Sequence, residues 1–307
     1  MVDDPKSGRP NVATCLADDA RRLQQILRLT WVDARFEAGL LLARACAVDR
    51  SWLLAHGDDV VPATGWSRYR TWLQRRLSGE PIAYVLEERE FFGHPFHVNE
   101  QVLIPRPDTE LLVELALRIL SQRQDLDVLD LGTGSGAVAV SIALAYPTAR
   151  VLATDFSPGA LSVAQQNARN LSANNVRFAA GSWWQAVGQE VFDLIVSNPP
   201  YIEEHDTHLQ QGDLRFEPRT ALVAGSGGLD DLCTIIQGAP ARIRTDGWLW
   251  LEHGYRQGAV VRSLLQQTGF VDVNTHRDLA GQERVSGGRW PASPDKGSAD
   301  RTGFHVG

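Results

Sequence analysis

The chain has 307 residues, 43% of them hydrophobic and 22% charged, which suits a soluble globular protein of about two domains with a sizeable core. A formal net charge of −7 argues against a broad non-specific nucleic-acid footprint, although a local basic face remains open. Cys15, Cys46 and Cys233 are too few and too scattered for a disulfide framework or a Cys-based zinc site, so a reducing cytoplasm is expected.

The opening MVDDPKSGRP lacks the apolar stretch of a secretory signal, and residues 1–12 are expected to be disordered. No apolar run nears the ~18 residues of a membrane span. From Cys15 to Leu77, apolar residues recur every three or four positions in CLADDARRLQQIL, DARFEAGLLLARACAV and GWSRYRTWLQRRL, which predicts a small helical bundle. Residues 79–107 change character: short β-prone runs around Gly93-His94-Pro95 predict a hairpin between two domains. A helix over Thr109–Gln122 is expected, with Asp108 as N-cap. Strands and helices then alternate. DVLDLG, RVLATD, VRFAAG, VFDLIVSN, GWLWLEHG and FVDVNTH read as strands, with helices between them and a Ser-Pro start at Ser157-Pro158. That alternation predicts an α/β domain with a doubly wound parallel sheet. WPASPDKGSADRTGFHVG, rich in Pro, Gly, Ser and Asp, predicts a flexible tail over 291–307.

DVLDLGTGSG delivers Asp130 and then Gly132, Thr133, Gly134, Ser135 and Gly136 between a strand and a helix. Such glycines permit a tight turn and close approach of backbone to a ligand. Asp155 ends the next strand, about 20 residues on, where an acidic side chain can accept hydrogen bonds from ribose hydroxyls. A dinucleotide fingerprint would space the third glycine one residue later, so dinucleotide binding is the alternative here. The spacing D-x-G-x-G-x-G resembles class I S-adenosylmethionine-dependent methyltransferases.

The strand VFDLIV ends in Ser-Asn-Pro-Pro-Tyr, residues 197–201. Each proline lacks an N–H and fixes φ, so the strand stops there. Asn198 therefore falls at the carboxyl edge of the sheet, where open α/β sheets bind ligands. On its own, the motif also reads as a rigid turn. An amide or exocyclic amine nitrogen is a poor nucleophile, because its lone pair is delocalised. The Asn198 side-chain oxygen and the Pro199 carbonyl can accept its two N–H groups, aim it at a methyl donor and favour positive charge on it, with Tyr201 as an aromatic wall. Alignment of this kind is worth about 7–11 kcal/mol.

GEPIAYV, REFFG, LIPRPDTE, DLGTGSGAVAV, SNPPYI, HLQQGDLRFEPRTALVAG, LEHG and ERVSGGR occur in this order between about residues 20 and 290. The series resembles the HemK/PrmC family, the bacterial release-factor glutamine N5-methyltransferases. The resemblance implies a helical release-factor-recognition domain over 13–78, a β-hairpin linker over 79–107 and a methyltransferase domain over 108–290. It implies that S-adenosyl-L-methionine binds Asp130, Gly132 to Gly136, Asp155 and Asn198, and that Trp183 packs near the adenine, with Trp184 as the alternative. Ser182 stands where the family often carries Asp. It further implies that Asn198, Pro199, Pro200 and Tyr201 hold the glutamine of a Gly-Gly-Gln loop. The implied partners are peptide chain release factors, free or ribosome-bound, with neither membrane nor direct DNA contact.

His205 and His208 have i, i+3 spacing and with Asp206 could suggest a metal, but no further ligand is evident and they read as a solvated loop; no metal is expected. Trp31, Trp52, Trp66 and Trp72 read as helical core, and the Arg-Arg pairs at 21–22 and 75–76 as solvent-facing. Two other functions share the site: adenine N6-methylation of nucleic acid, which needs a basic face and a flipped base, and a non-catalytic scaffold that binds release factors or ribosomes.

Overall fold

The computed structural model describes residues 8–121, 123 and 125–292, so the tail expected over 291–307 and the start expected over 1–12 lie largely outside the described residues. The chain divides into two units. One holds the chain up to Glu88 together with Val98–Glu100 and Thr207–Phe216; the other holds Arg89–His97, Gln101–Asp206 and the residues from Glu217 on.

The first unit is built from α1 (Val12–Leu27), α2 (Trp31–Cys46), α3 (Arg50–Ala55), α4 (Ala63–Leu77) and α5 (Ile82–Leu86). Asn11 caps α1 by accepting from the Thr14 N–H at 2.8 Å, so order begins before the Cys15 expected from the apolar pattern. Thr30 caps α2 in the same way through Asp33 N–H. Leu16, Ala20, Leu23, Leu41, Leu42, Tyr69 and Leu73 form the shared core. Tyr69 donates to buried Asp19 at 2.9 Å. Three expectations fail. Ile82–Leu86 is a short helix, because Pro81 sets its N-terminus and its β-branched content disguises it as a strand. Arg76 is buried, since its guanidinium spans both oxygens of Glu37 (2.7 and 3.2 Å) and reaches the Glu80 carbonyl at 3.0 Å. Trp31 opens α2 and is exposed, whereas Trp52, Trp66 and Trp72 pack partly against the core.

The hairpin strands β1 (Glu88–Phe91) and β2 (His94–His97), in the second unit from Arg89 on, turn at Phe92-Gly93; His94 and Pro95 belong to the strand. Phe91 and Phe96 meet edge to face, with centroids 6.0 Å apart, in the core of the α/β unit. A 3-10 turn over Pro107–Thr109 leads into α6 (Glu110–Leu120). Asp108 is not the N-cap: it lies in that turn, and its carboxylate pairs with Arg284 at 3.2 Å.

The sheet comprises β3 (Asp127–Leu131), β4 (Arg150–Asp155), β5 (Val176–Ala180), β6 (Phe192–Ser197), β7 (Ile243–Glu252), β8 (Val271–Arg277) and β9 (Glu283–Arg289), in the order β5-β4-β3-β6-β7-β9-β8. The first five strands in that order pair in parallel; β9 is antiparallel to both β7 and β8. Both faces are covered. Val128, Leu194, Val196 and Trp250 pack with α6 and α7 (Ala137–Ala145), while their neighbours Leu129, Ile195, Leu249 and Leu251 pack with α9 (Asp230–Gly238) and α10 (Gly258–Thr268). This alternation makes continuous apolar runs of the central strands. α8 (Pro158–Asn170) starts at Ser157, whose hydroxyl accepts from Ala160 N–H at 3.2 Å. Among the described residues, no helix is long and apolar enough to cross a membrane.

Candidate active site

The registers Leu131↔Thr154 and Leu131↔Ser197 bring the carboxyl ends of β3, β4 and β6 level. A cavity of about 370 Å³ opens there, within the second unit. Asp130, Gly132, Thr133, Gly134, Ser135, Asp155, Trp183, Asn198 and Pro200 line it.

The glycine turn is held from below. Thr133 N–H donates to the Thr154 carbonyl and Gly136 N–H to the Thr133 carbonyl, both at 2.8 Å. Gly132 has φ +72°, and a Cβ there would sit 3.3 Å from the Trp183 ring. Gly136 lies outside the lining. It caps α7 at φ +81°, where a Cβ would press on Ala164 of α8 at 3.1 Å, so its need for glycine is one of packing.

Asp155 is fixed by its own backbone neighbourhood: one oxygen accepts from Gly134 N–H and the other from Ser157 N–H, both at 2.9 Å. Burial raises its pKa against the pull of those N–H groups. Asp130 accepts from the Thr133 hydroxyl at 2.7 Å, and burial pushes its carboxyl up to about 7. Trp183 sits at φ +46°, a backbone state uncommon for a bulky residue, and its indole N–H donates to Asp231 at 3.0 Å. Trp184 is outside the lining, with its indole bound to the Thr234 carbonyl. Ser182 lines the cavity.

Asn198 follows β6 directly. Its side-chain N–H donates to Thr109 Oγ1 at 3.2 Å. Its Oδ1 takes no hydrogen bond from a described residue, nor does the Pro199 carbonyl. Pro199 is buried, and it lies outside the lining together with Tyr201, whose hydroxyl donates to Glu252 at 3.3 Å. The cavity thus joins an acidic, glycine-rich end to a rim that offers hydrogen-bond acceptors.

The family model described as Methyltransferase small domain matches residues 108–221, and the PrmC N-terminal domain matches residues 21–86. A release factor glutamine methyltransferase from Bordetella pertussis is 53% identical, covering 83% of this chain and 94% of its own. The chain belongs to the release factor glutamine methyltransferase family. A second member, from Xylella fastidiosa strain Temecula1, is 48% identical over 84% of this chain and 94% of its own. A solved release-factor-specific protein-(glutamine-N5) methyltransferase from Alicyclobacillus acidocaldarius is 31% identical, covers 64% of this chain and 100% of its own, and has a TM-score of 0.40.

The structure adds cavity residues that sequence reasoning did not single out: Thr109, Phe156 and Asp231 in the lining, and Arg106, whose guanidinium pairs with buried Glu217. Glu217 also accepts from Ile104 N–H at 3.0 Å, which ties the 101–106 wall to the segment after Phe216. The stretches PRPDTE and FEPRTA carried Arg106, Thr109 and Glu217 as quoted family motifs without roles, whereas Phe156 and Asp231 lie outside any quoted motif.

Proposed function

We propose that this chain transfers a methyl group from S-adenosylmethionine to the side-chain amide nitrogen of the glutamine in the Gly-Gly-Gln loop of peptide chain release factors, in the cytoplasm, and so supports translation termination. The observation that carries this reading is the unengaged Asn198 Oδ1 at the rim of the cavity that Gly132, Gly134 and Asp155 line.

The residues present suit the methyl donor. Gly132 leaves open backbone beside the Trp183 ring, Asp155 and Asp130 offer carboxyl oxygens to hydroxyl and amine groups, and Ser135 adds a polar edge. Asp130, Gly132 to Ser135, Asp155 and Trp183 would hold it. When bound, it supplies an electrophilic sulfonium methyl, and S-adenosylhomocysteine is the product.

The chain's own part is orientation. Asn198 Oδ1 and the Pro199 carbonyl accept the two N–H groups of the substrate amide, which fixes the nitrogen's position and favours positive charge on it as its lone pair is engaged. The proton is then lost from a nitrogen already bearing the methyl, so no strong base is required. Pro200 shapes the rim, Tyr201 braces it from behind, and the helical unit serves release factor recognition, on or off the ribosome.

The test is transfer of labelled methyl from S-adenosylmethionine to purified release factor and, in parallel, to duplex DNA. Label on release factor, abolished by Gln→Ala in its Gly-Gly-Gln loop, is expected; label on DNA alone would overturn the reading. Asn198→Ala should lower kcat by roughly 10²–10³-fold with little change in S-adenosylhomocysteine affinity. Equal loss in both would assign Asn198 to the cofactor instead.

A further inference from the structure

The stretch EHGYRQ joins the end of β7 to α10, and the function above gives Gln257 no part. Gln257 stands immediately before α10, yet its side chain makes no capping bond to the helix. It reaches instead to three other backbone segments. Oε1 accepts from Gly254 N–H at 2.8 Å, and Nε2 donates to the carbonyls of Tyr201 at 3.1 Å and Gly228 at 3.0 Å. An N–H on one side and two carbonyls on the other leave the amide a single orientation, with both of its N–H groups engaged. Among the described residues, neither carbonyl takes another hydrogen bond. The segments also come too close for a side chain. A Cβ at Gly228, which has φ +65°, would lie 2.5 Å from the Tyr201 carbonyl oxygen and 3.0 Å from Gln257 Nε2. The Gly254 peptide is itself fixed: buried His253 directs Nδ1 at the Gly254 carbonyl at 2.9 Å, where only a donor fits, and its Nε2 meets the Ser286 hydroxyl at 2.7 Å.

This clamp holds the far end of the Asn-Pro-Pro-Tyr segment. The near end is held by Ser197, which pairs with Leu131 and Leu251 on its two sides and donates its hydroxyl to the Leu131 carbonyl at 2.6 Å. Between the two ends the chain has few ways to run. Pro199 and Pro200 fix their own φ, and Asn198 and Pro199, each preceding a proline, are restricted to extended conformations. With both ends pinned, the direction of the Pro199 carbonyl is set; with the Tyr201 end released, it can swing. The next residue, Ile202, exchanges backbone bonds with Leu222 and Ala224 at 2.9 and 3.0 Å. Loss of the clamp therefore loosens the turn without unfolding it.

We infer that Gln257 is a positioning residue for methyl transfer: by holding the Tyr201 carbonyl it fixes the direction of the Pro199 carbonyl, one of the two acceptors for the substrate nitrogen. This rests on the functional reading above. The same amide also holds Gly228, which leads into α9, and Asp231 of that helix takes the Trp183 indole N–H. The two routes have different consequences. Acting on Tyr201, the clamp governs turnover. Acting only through Gly228 and Trp183, it would govern affinity for the cofactor.

The experiment uses the full chain with release factor and labelled S-adenosylmethionine. Gln257→Met keeps the length of the side chain without its amide and should lower kcat by roughly 10- to 100-fold, the scale of loss when an aligning group is slightly misplaced. KM for release factor and affinity for S-adenosylhomocysteine should hold. Gln257→Glu keeps the shape and the acceptor for Gly254 N–H, but at neutral pH it turns a second oxygen on the two carbonyls. It should lower kcat at least as far, which ties the loss to the two N–H groups rather than to packing. In the wild type, NMR on nitrogen-labelled protein should show the Gln257 side-chain protons exchanging with water more slowly than those of an exposed glutamine. Wild-type kcat in either variant, or a loss of S-adenosylhomocysteine affinity in step with kcat, would overturn the inference. Exchange at the rate of an exposed glutamine would overturn it alone, whatever the activity. A wild-type chain that labels no release factor would overturn the functional reading, and this inference with it.

Discussion

Glu252 and Asp130 are carboxyls whose proton affinity is set by burial, each pushed up to about 7 from ordinary values of 4.5 and 3.8. Below those ordinary values, folded and unfolded chains both hold the protons. Between them and about pH 7 only the folded chain does, so unfolding releases protons and stability falls as pH rises. His253 opposes this trend. Its pKa is lowered by burial, so its contribution to stability grows with pH up to its ordinary 6.5. Comparing Glu252→Gln with the wild type removes that opposition, because both proteins share it. We expect the variant to gain on the wild type between about pH 5 and about pH 8 in equilibrium denaturation. A difference that stays constant across this range would mean that Glu252 titrates at its ordinary value in the fold.

At the scale of elements, the site depends on how α8 is tied to its surroundings. Asn167 on α8 is buried; its Oδ1 accepts from His97 N–H at 2.7 Å, and its Nδ2 donates to the carbonyls of His97 at 2.9 Å and Ser135 at 2.8 Å. One side chain therefore joins the helix to β2 and to the glycine turn. Asn167→Leu should cost on the order of 3 kcal/mol, about 1 for each bond. It should also weaken S-adenosylhomocysteine binding, because the Ser135 backbone loses its anchor. Denaturation midpoints and calorimetric titration check the two parts, and a stability loss with undisturbed binding would show that the turn holds its shape without α8. Asn167 could not be picked out from the sequence, where it is one polar residue in a helical pattern. The periodic helices, the apolar strands β3, β4 and β6, the glycine turn and the Asn-Pro-Pro-Tyr stop were legible, because each carries its signal within a few adjacent residues. β9 was missed because Gly287-Gly288 and its flanking arginines hide strand character. Thr109 and Glu252 were not assigned because their partners lie 89 and 51 positions away in the chain.

Across the whole molecule, every residue lining the cavity belongs to the second unit, while the core of the first is a separate apolar cluster. Arg76 is a buried polar tie inside that first unit. It spans Glu37 with two bonds, reaches the carbonyls of Gly79 and Glu80, and lies 3.7 Å from Asp213 in the 207–216 segment. The exposed contact to Asp213 contributes little by itself. The pair with Glu37 is different, because both side chains are largely buried and removing one leaves the other charged without a partner. Arg76→Met should therefore destabilise the helical unit by about 3–5 kcal/mol, and adding Glu37→Leu should recover much of that by removing the stranded charge. Since the cavity is built elsewhere, S-adenosylhomocysteine affinity should survive in Arg76→Met. KM for release factor should rise, which follows from the proposed role of that unit in recognising the protein substrate. Calorimetric titration and release factor titration on the same preparation separate the two effects. If cofactor affinity fell in step with KM, the helical unit would be supporting the cavity itself, and the division of labour between recognition and methyl transfer would have to be redrawn.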